Sequence, residues 1–338
     1  MSHQRHFTPR RWVRHGDLQT LVGNFLKRGA EPPESEAVYI QTEPETQVLC
    51  QCNWQPAAAE APLAILLHGL EGSSASQYMR GNAAKLWDAG WSVIRMNMRN
   101  CGGTENLTPT LYHSGLSVDM LEVMRWAIRT HGVRSISLIG YSMGGNIVLK
   151  LAGELGSSMP ELAGVVGVSP AMDLGPSADK LHEGRNRVYE WKFLRGLLAR
   201  YQRKCELFPK IYDPARVKNI RSIRDFDERI TGPYSGFTGA DDYYHRAAAA
   251  RVLDRIAVPT LILHAADDPF IRVTRQTRSV MAANPHLTFV ETAHGGHCAF
   301  LADRTASYDG YWAEHTTLAF LTGHVRVPAP VPQEAHAG

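Results

Sequence analysis

The segment Gly140-Tyr141-Ser142-Met143-Gly144-Gly145 constrains this chain more than any other. It follows the apolar run Ile136-Ser137-Leu138-Ile139 and precedes a helix-like run from Asn146 to Ala152. A strand that turns sharply through a serine into a helix presents the serine hydroxyl off the end of a sheet. Gly140 and Gly144 suit a place where strand and helix approach too closely for a side chain. The helix start behind Ser142 favours developing negative charge. A pentapeptide of this kind is weak evidence alone, so the rest of the chain must supply the fold and the chemistry.

Elements alternate around it. Ala37-Tyr39-Gln41 and Gln47-Leu49-Gln51 alternate in polarity about Pro44 and predict an antiparallel pair. Leu63 to Leu67 is a continuous apolar run, the pattern of a buried strand. A helix is expected from Gln77 to Ala89 and a strand from Trp91 to Met96. Leu116, Met120, Val123, Met124 and Ala127 mark one helix face. Further strands are expected at Val165 to Val168, Pro259 to Leu263 and Leu287 to Val290, with a closing helix from Tyr308 to Leu321. This order implies an α/β fold with a mostly parallel sheet and helices on both faces. The expected division is an N-terminal extension (1–36), a core (37–173 and 259–322), a helical cap or lid insertion (174–258) and a disordered tail (323–338).

The insertion holds a helix-like run from Val188 to Arg203, and its apolar positions Val188, Trp191, Leu194 and Leu198 are expected to pack onto the core. Between Arg185 and Arg229, thirteen Lys and Arg face six Asp and Glu. The excess reads as a solvated helical face; the sharper alternative is a lid that meets anionic lipid headgroups or acidic substrates.

A net charge of +3, with no basic patch interleaved with aromatics, argues against nucleic-acid binding. Of five cysteines, Cys50 and Cys52 share a strand face and are not expected to bridge, and no Cys-x-x-Cys pair suggests zinc. No metal or organic cofactor is expected. The first eleven residues lack the apolar core of a secretory leader, and no apolar run approaches the roughly 20 residues that span a bilayer. The expectation is a cytoplasmic protein with reduced thiols and no transmembrane segment.

A serine nucleophile needs a base and an orienting acid. Strand ends supply candidates for both: Asp267 and Asp268 after one strand, His294 and His297 after the next. Carboxyl ends of parallel strands are where such sheets place their sites. The tetrahedral oxyanion needs two backbone donors. Met143, following the serine, and Leu70, following His68-Gly69, are the candidates. His68 precedes the serine and is expected to fix its loop by hydrogen bonds.

Together these residues resemble the alpha/beta-hydrolase superfamily, and more narrowly its YheT-like branch of hydrolases and esterases. The resemblance rests on His68-Gly69-Leu70-Glu71-Gly72-Ser73, Asn97 to Thr104, Gly140 to Asn146, Asp225-Phe226-Asp227-Glu228, Asp267-Asp268-Pro269-Phe270 and His294-Gly295-Gly296-His297, with Leu18 to Leu21 and Gly23-Asn24 near the start. It implies Ser142 as nucleophile, Asp268 as acid and His297 as base, in a carboxylic-ester hydrolase without a cofactor. Cys298 departs from the resemblance, which favours glycine there. Arg99 is expected to hold its loop, and the acids of Asp225 to Glu228 to pair with Arg221, Arg224 or Arg229. The expected activity is a serine carboxylesterase acting on short- to medium-chain acyl esters. The alternatives are a lipase or phospholipase acting on lipid esters, or a non-catalytic binding member of the fold.

Overall fold

A computed structural model describes residues 6–325 of the 338-residue chain. The proline-rich stretch from Val327, expected as a tail, lies outside the described residues. The chain enters through helix α1 (Gly16–Phe25), then pairs β1 (Glu36–Glu43) with β2 (Thr46–Asn53) antiparallel, Val38 opposite Cys50. There follow β3 (Leu63–Leu67), α2 (Gln77–Asp88), β4 (Ser92–Met96), α3 (Ser117–His131), β5 (Ile136–Tyr141), α4 (Met143–Leu155) and β6 (Leu162–Val168). After a long excursion the chain returns as β7 (Thr260–Ala265) and β8 (Leu287–Thr292).

The eight strands form one sheet in the order β1-β2-β4-β3-β5-β6-β7-β8. From β4 to β8 neighbours are parallel; β1 and β2 join antiparallel at one edge. Residues of β3 show why the run is apolar throughout. Leu63, Ile65 and Leu67 enter the core with α3 and α4, whereas Ala64 and Leu66 enter the core on the opposite face with α2. A strand alternates its side chains between faces, so helices on both sides require apolar residues at every position.

The excursion between β6 and β7 contains no sheet strand. It comprises α5 (Leu174–His182), the long α6 (Arg187–Leu207) and the short helices α7 (Ile223–Phe226), α8 (Gly232–Tyr234) and α9 (Ala240–Ala247). After β7 comes α10 (Arg275–Ala283), and α11 (Trp312–His324) closes the described chain. Buried polar anchors hold the excursion to the core. Asn146 on α4 donates to the carbonyls of Ser114 and Ala247 (2.9 and 2.8 Å) and accepts from Ala249 N–H (2.7 Å). Lys204 on α6 is fully buried and donates to Asn100 Oδ1 (2.9 Å) and to the Glu105 and Thr108 carbonyls.

Six helices were not individually legible in the sequence: α1, α10 and, within the excursion, α5, α7, α8 and α9. α1 has three apolar residues facing outward and fixes itself through polar ones. Gln19 is buried, donating to the Val13 and Leu301 carbonyls and accepting from Leu301 N–H. α10 buries only Thr277 and Met281, too little for a clear periodic signal. The helix after the serine turn begins at Met143, three residues before the apolar run that predicts it, because glycines fill its first turn.

The acids of residues 225–228 also depart from expectation. Asp225 accepts from the backbone N–H of Arg221 (2.9 Å), Glu228 from Ala240 N–H (2.8 Å), and buried Asp227 from the hydroxyls of Thr231 and Tyr244 (2.6 and 2.7 Å). None uses the guanidinium groups nearby; Arg224 turns instead to Asp179 and Asp241. Backbone and hydroxyl donors arrive in fixed positions when the helices pack, and no charge pattern reports them. Arg99 holds its loop, donating to Asp119 (2.7 and 2.6 Å), to Thr110 and to Glu43.

Candidate active site

The turn from β5 into α4 places Ser142 at φ 55° and ψ −116°, a backbone conformation strained for any residue with a side chain. Its neighbours explain how the chain maintains it. A Cβ on Gly144 would fall 2.5 Å from the Leu67 carbonyl oxygen, and one on Gly140 would fall 2.6 Å from the Gly145 nitrogen. Strand β3, the turn and α4 therefore interlock only through bare backbone. The half-buried Ser142 hydroxyl lies 2.9 Å from His297 Nε2.

His297 Nδ1 lies 2.8 Å from Asp268 Oδ2, and the Phe270 ring packs 4.4 Å from the imidazole centroid. The other carboxylate oxygen of Asp268 accepts the N–H groups of Phe270 and Ile271 (3.1 and 2.9 Å). Burial alone would raise the Asp268 carboxyl, but His297, His264 and the Ile271 amide outweigh it and hold it below its ordinary value. Burial alone would lower His297; the Cys298 sulfur and Asp268 outweigh it and move the imidazole upward. Cys298 Sγ sits 3.6 Å from Nε2, and its backbone, at φ 63°, adopts the conformation for which glycine is the usual residue.

The neighbouring aspartate and histidine face away from this line. Asp267 accepts the N–H of Gly296 (2.9 Å) and lies 3.3 Å from His294 Nδ1. It shapes the loop that carries His297. Helix α1 completes that support: Thr20 Oγ1 accepts the His297 N–H (2.8 Å) and donates to the Gly16 carbonyl (2.7 Å). Leu18 to Leu21 stand out in the sequence only through resemblance, and nothing there marks the contact of Thr20.

The candidate oxyanion donors belong to residues that border the same cavity as Ser142. Gly69 to Gly72 form a tight turn closed by Gly72 N–H to the Gly69 carbonyl (3.0 Å), with Glu71 at φ 58°. The N–H groups of Leu70 and Met143 have no acceptor among the described residues, and both residues border the same cavity as Ser142. The turn is pinned from behind. Tyr112 donates to Glu71 (2.6 Å), Arg200 of α6 lies 3.2 Å from the same oxygen, and the Tyr78 hydroxyl accepts the Gly69 N–H (3.0 Å). His68 accepts Met98 N–H at Nε2 (3.1 Å), so Nδ1 carries the proton given to the Gly69 carbonyl (2.8 Å). Burial, opposed by that hydrogen bond, moves His68 down to about 4, which keeps it neutral.

Two recesses meet at Ser142. One is a small apolar cavity of about 130 Å³ under the excursion, bordered by Leu70, Met143, Leu174, Leu197, Tyr243 and Ile271. The other is a larger cleft of about 460 Å³ between α1 and α6, bordered by His297, Cys298, Leu21, Tyr189 and Trp191. The helical stripe on α6 is divided between two environments. Leu194 and Leu198 pack inward as expected, whereas Val188 and Trp191 stand exposed at the cleft. Among the described residues no helix is long and apolar enough to cross a membrane.

A family model described as alpha/beta hydrolase fold matches residues 62–303. The esterase candidate YheT of Escherichia coli (strain K12) is 32% identical over 331 residues, 96% of this chain and 95% of that protein. Human Phospholipase ABHD3 is 26% identical over 321 residues, 92% of this chain and 76% of that one. Among solved structures, the Pyrococcus furiosus esterase Pf2001 superposes with a TM-score of 0.57 at 16% identity, covering 88% of this chain and 98% of its own, a likeness of fold alone.

Proposed function

Because this chain belongs to the alpha/beta-hydrolase family, in its YheT-like branch, and its relatives are esterases, lipases and phospholipases, we propose that it is a serine carboxylesterase that forms an acyl-enzyme on Ser142. The observation that carries the proposal is the hydrogen-bonded line Ser142–His297–Asp268 ending beside two unpartnered N–H groups. Ser142 Oγ attacks the ester carbonyl carbon while His297 Nε2 takes its proton. Asp268 keeps Nδ1 protonated and stabilises the imidazolium. The oxyanion accepts from Leu70 and Met143 N–H. Collapse breaks the bond to the alcohol oxygen, which receives the proton from Nε2. Water then repeats the sequence on the acyl-enzyme and releases the acid.

The two recesses divide the substrate. The departing alcohol must lie within reach of His297 Nε2, and His297 borders the larger cleft but not the smaller cavity. The alcohol half therefore belongs in the cleft and the acyl chain in the cavity, whose small volume supports short- to medium-chain acyl groups. A lipase or phospholipase reading has its own support in the cleft's exposed apolar border and larger volume, which would admit a bulky lipid alcohol. We place the reaction in the cytoplasm, with reduced thiols; all five cysteines are free.

The test is hydrolysis of p-nitrophenyl esters from acetate to palmitate by wild type and Ser142→Ala, with fluorophosphonate labelling. Ser142-dependent turnover with an optimum at or below medium chains is the expected result. Turnover that survives Ser142→Ala, or no turnover and no labelling on any ester, refutes it.

A further inference from the structure

We infer that the face carrying the mouth of the larger cleft docks on an anionic lipid surface, with α1 and the first turns of α6 lying among the headgroups. Leu18, Leu21 and Phe25 recur at i, i+3 and i+7 of α1, and all three are exposed, Phe25 at 72%. On α6, Val188 and Trp191 recur at i and i+3, exposed at 71% and 61%. Trp12, in the turn before α1, is 82% exposed. These six are most of the eight large hydrophobic side chains exposed among the described residues, so apolar exposure is concentrated here rather than scattered.

The two stripes form one rim. Lys192 Nζ of α6 lies 5.7 Å over the Phe25 ring, and Tyr189 and Arg185 reach Asp17 of α1 (3.1 and 3.2 Å). Leu21, Val188 and Trp191 border the cleft itself, so the rim surrounds the way in to Ser142.

Charge identifies the partner. Arg11, Arg14 and Lys27 flank α1, and Arg187, Lys192 and Arg195 lie on the start of α6, all exposed. The acids nearby are already engaged: Asp17 with Arg185, and buried Glu190 with His182 and Ile223 N–H. An apolar stripe edged by cations in no ion pair is the composition of a helix that lies in an anionic membrane interface. A second copy of the chain is a poor occupant, because a two-fold contact would set the same cations against each other. Docked this way, a lipid ester passes from the surface into the cleft without crossing water.

The experiment uses the full chain bearing Ser142→Ala, so that binding is read without catalysis and stands or falls separately from the ester chemistry. Vesicles of phosphatidylcholine, alone or with one quarter phosphatidylserine, are sedimented at low and high salt. Sedimentation with the anionic vesicles, weakened by salt, is expected. Leu18→Ser with Phe25→Ser, and separately Arg187→Glu with Arg195→Glu, should each reduce the partition coefficient by about tenfold or more. Circular dichroism and thermal midpoints should match the parent, and in the Ser142 background p-nitrophenyl acetate hydrolysis should be unchanged. No sedimentation with anionic vesicles, or sedimentation indifferent to both pairs of substitutions, overturns the inference. So does a dimer in analytical ultracentrifugation that Leu18→Ser with Phe25→Ser abolishes, which would make this face a contact between copies.

Discussion

Asp268→Asn is the perturbation whose outcome the hydrogen bonds dictate most closely. Oδ1 accepts two amide hydrogens, from Phe270 and Ile271, and only an oxygen can occupy that position. The substituted amide must therefore turn its NH₂ toward His297, where Oδ2 lies 2.8 Å from Nδ1 in the wild type. An NH₂ there donates to Nδ1 and forces the ring proton onto Nε2. That proton then points at Ser142 Oγ, 2.9 Å away, and the imidazole can no longer accept from it. Wrong-tautomer substitutions of this kind cost ~10⁴-fold in kcat, which is about 5.5 kcal/mol of transition-state stabilisation. KM should change little, since Asp268 borders neither recess at Ser142. The assay is initial-rate hydrolysis of p-nitrophenyl butyrate across substrate concentration, beside Asp267→Asn. Asp267 needs only an oxygen toward Gly296 N–H, which asparagine keeps, so its loss should stay within roughly tenfold. If Asp268→Asn stays within tenfold of wild type while Asp267→Asn falls a thousandfold, the reasoning fails.

Three further outcomes are expected. With His297 as the proposed base, activity would require it neutral, so kcat/KM should fall as pH drops through its upward-shifted pKa; Cys298→Ala removes one raising influence and should move that acid limb to lower pH, with an unmoved limb refuting the contribution of the sulfur. Asp227, raised to about 6 chiefly by burial, holds its proton longer in the folded chain than in the unfolded one. Wild type should therefore lose stability as pH rises from 4 through 6, on the order of 3 kcal/mol relative to Asp227→Asn, and parallel urea-unfolding curves across that range would contradict it. Gly144→Ala drives a methyl against the backbone carbonyls of His68 and Leu67, neither of which can rotate away; a loss of about 1–3 kcal/mol in denaturant unfolding is expected, and unchanged stability would show that the turn has slack.

Much of this molecule could be read from the chain because the signals are local. A strand buried on both faces must be apolar at every position, which made β3 and β5 visible as runs. The turn at Ser142 needs bare backbone on both sides, and Gly140 and Gly144 announce it. The order of serine, aspartate and histidine at strand ends survives in sequence because it follows the order of strands in the chain. What the sequence left open was direction and company. Asp267 and Asp268 are adjacent, each beside a histidine four or fewer residues from the other's, and only the folded loops turn one pair toward Ser142 and the other away. Thr20 carries no mark of its contact with His297, since residues 277 positions apart meet only when α1 docks. The apolar positions of α6 follow one helical period, yet Leu194 is covered and Trp191 is not. Periodicity places side chains on a face; which parts of that face are covered depends on the neighbours that tertiary packing brings, and those lie far away in the chain.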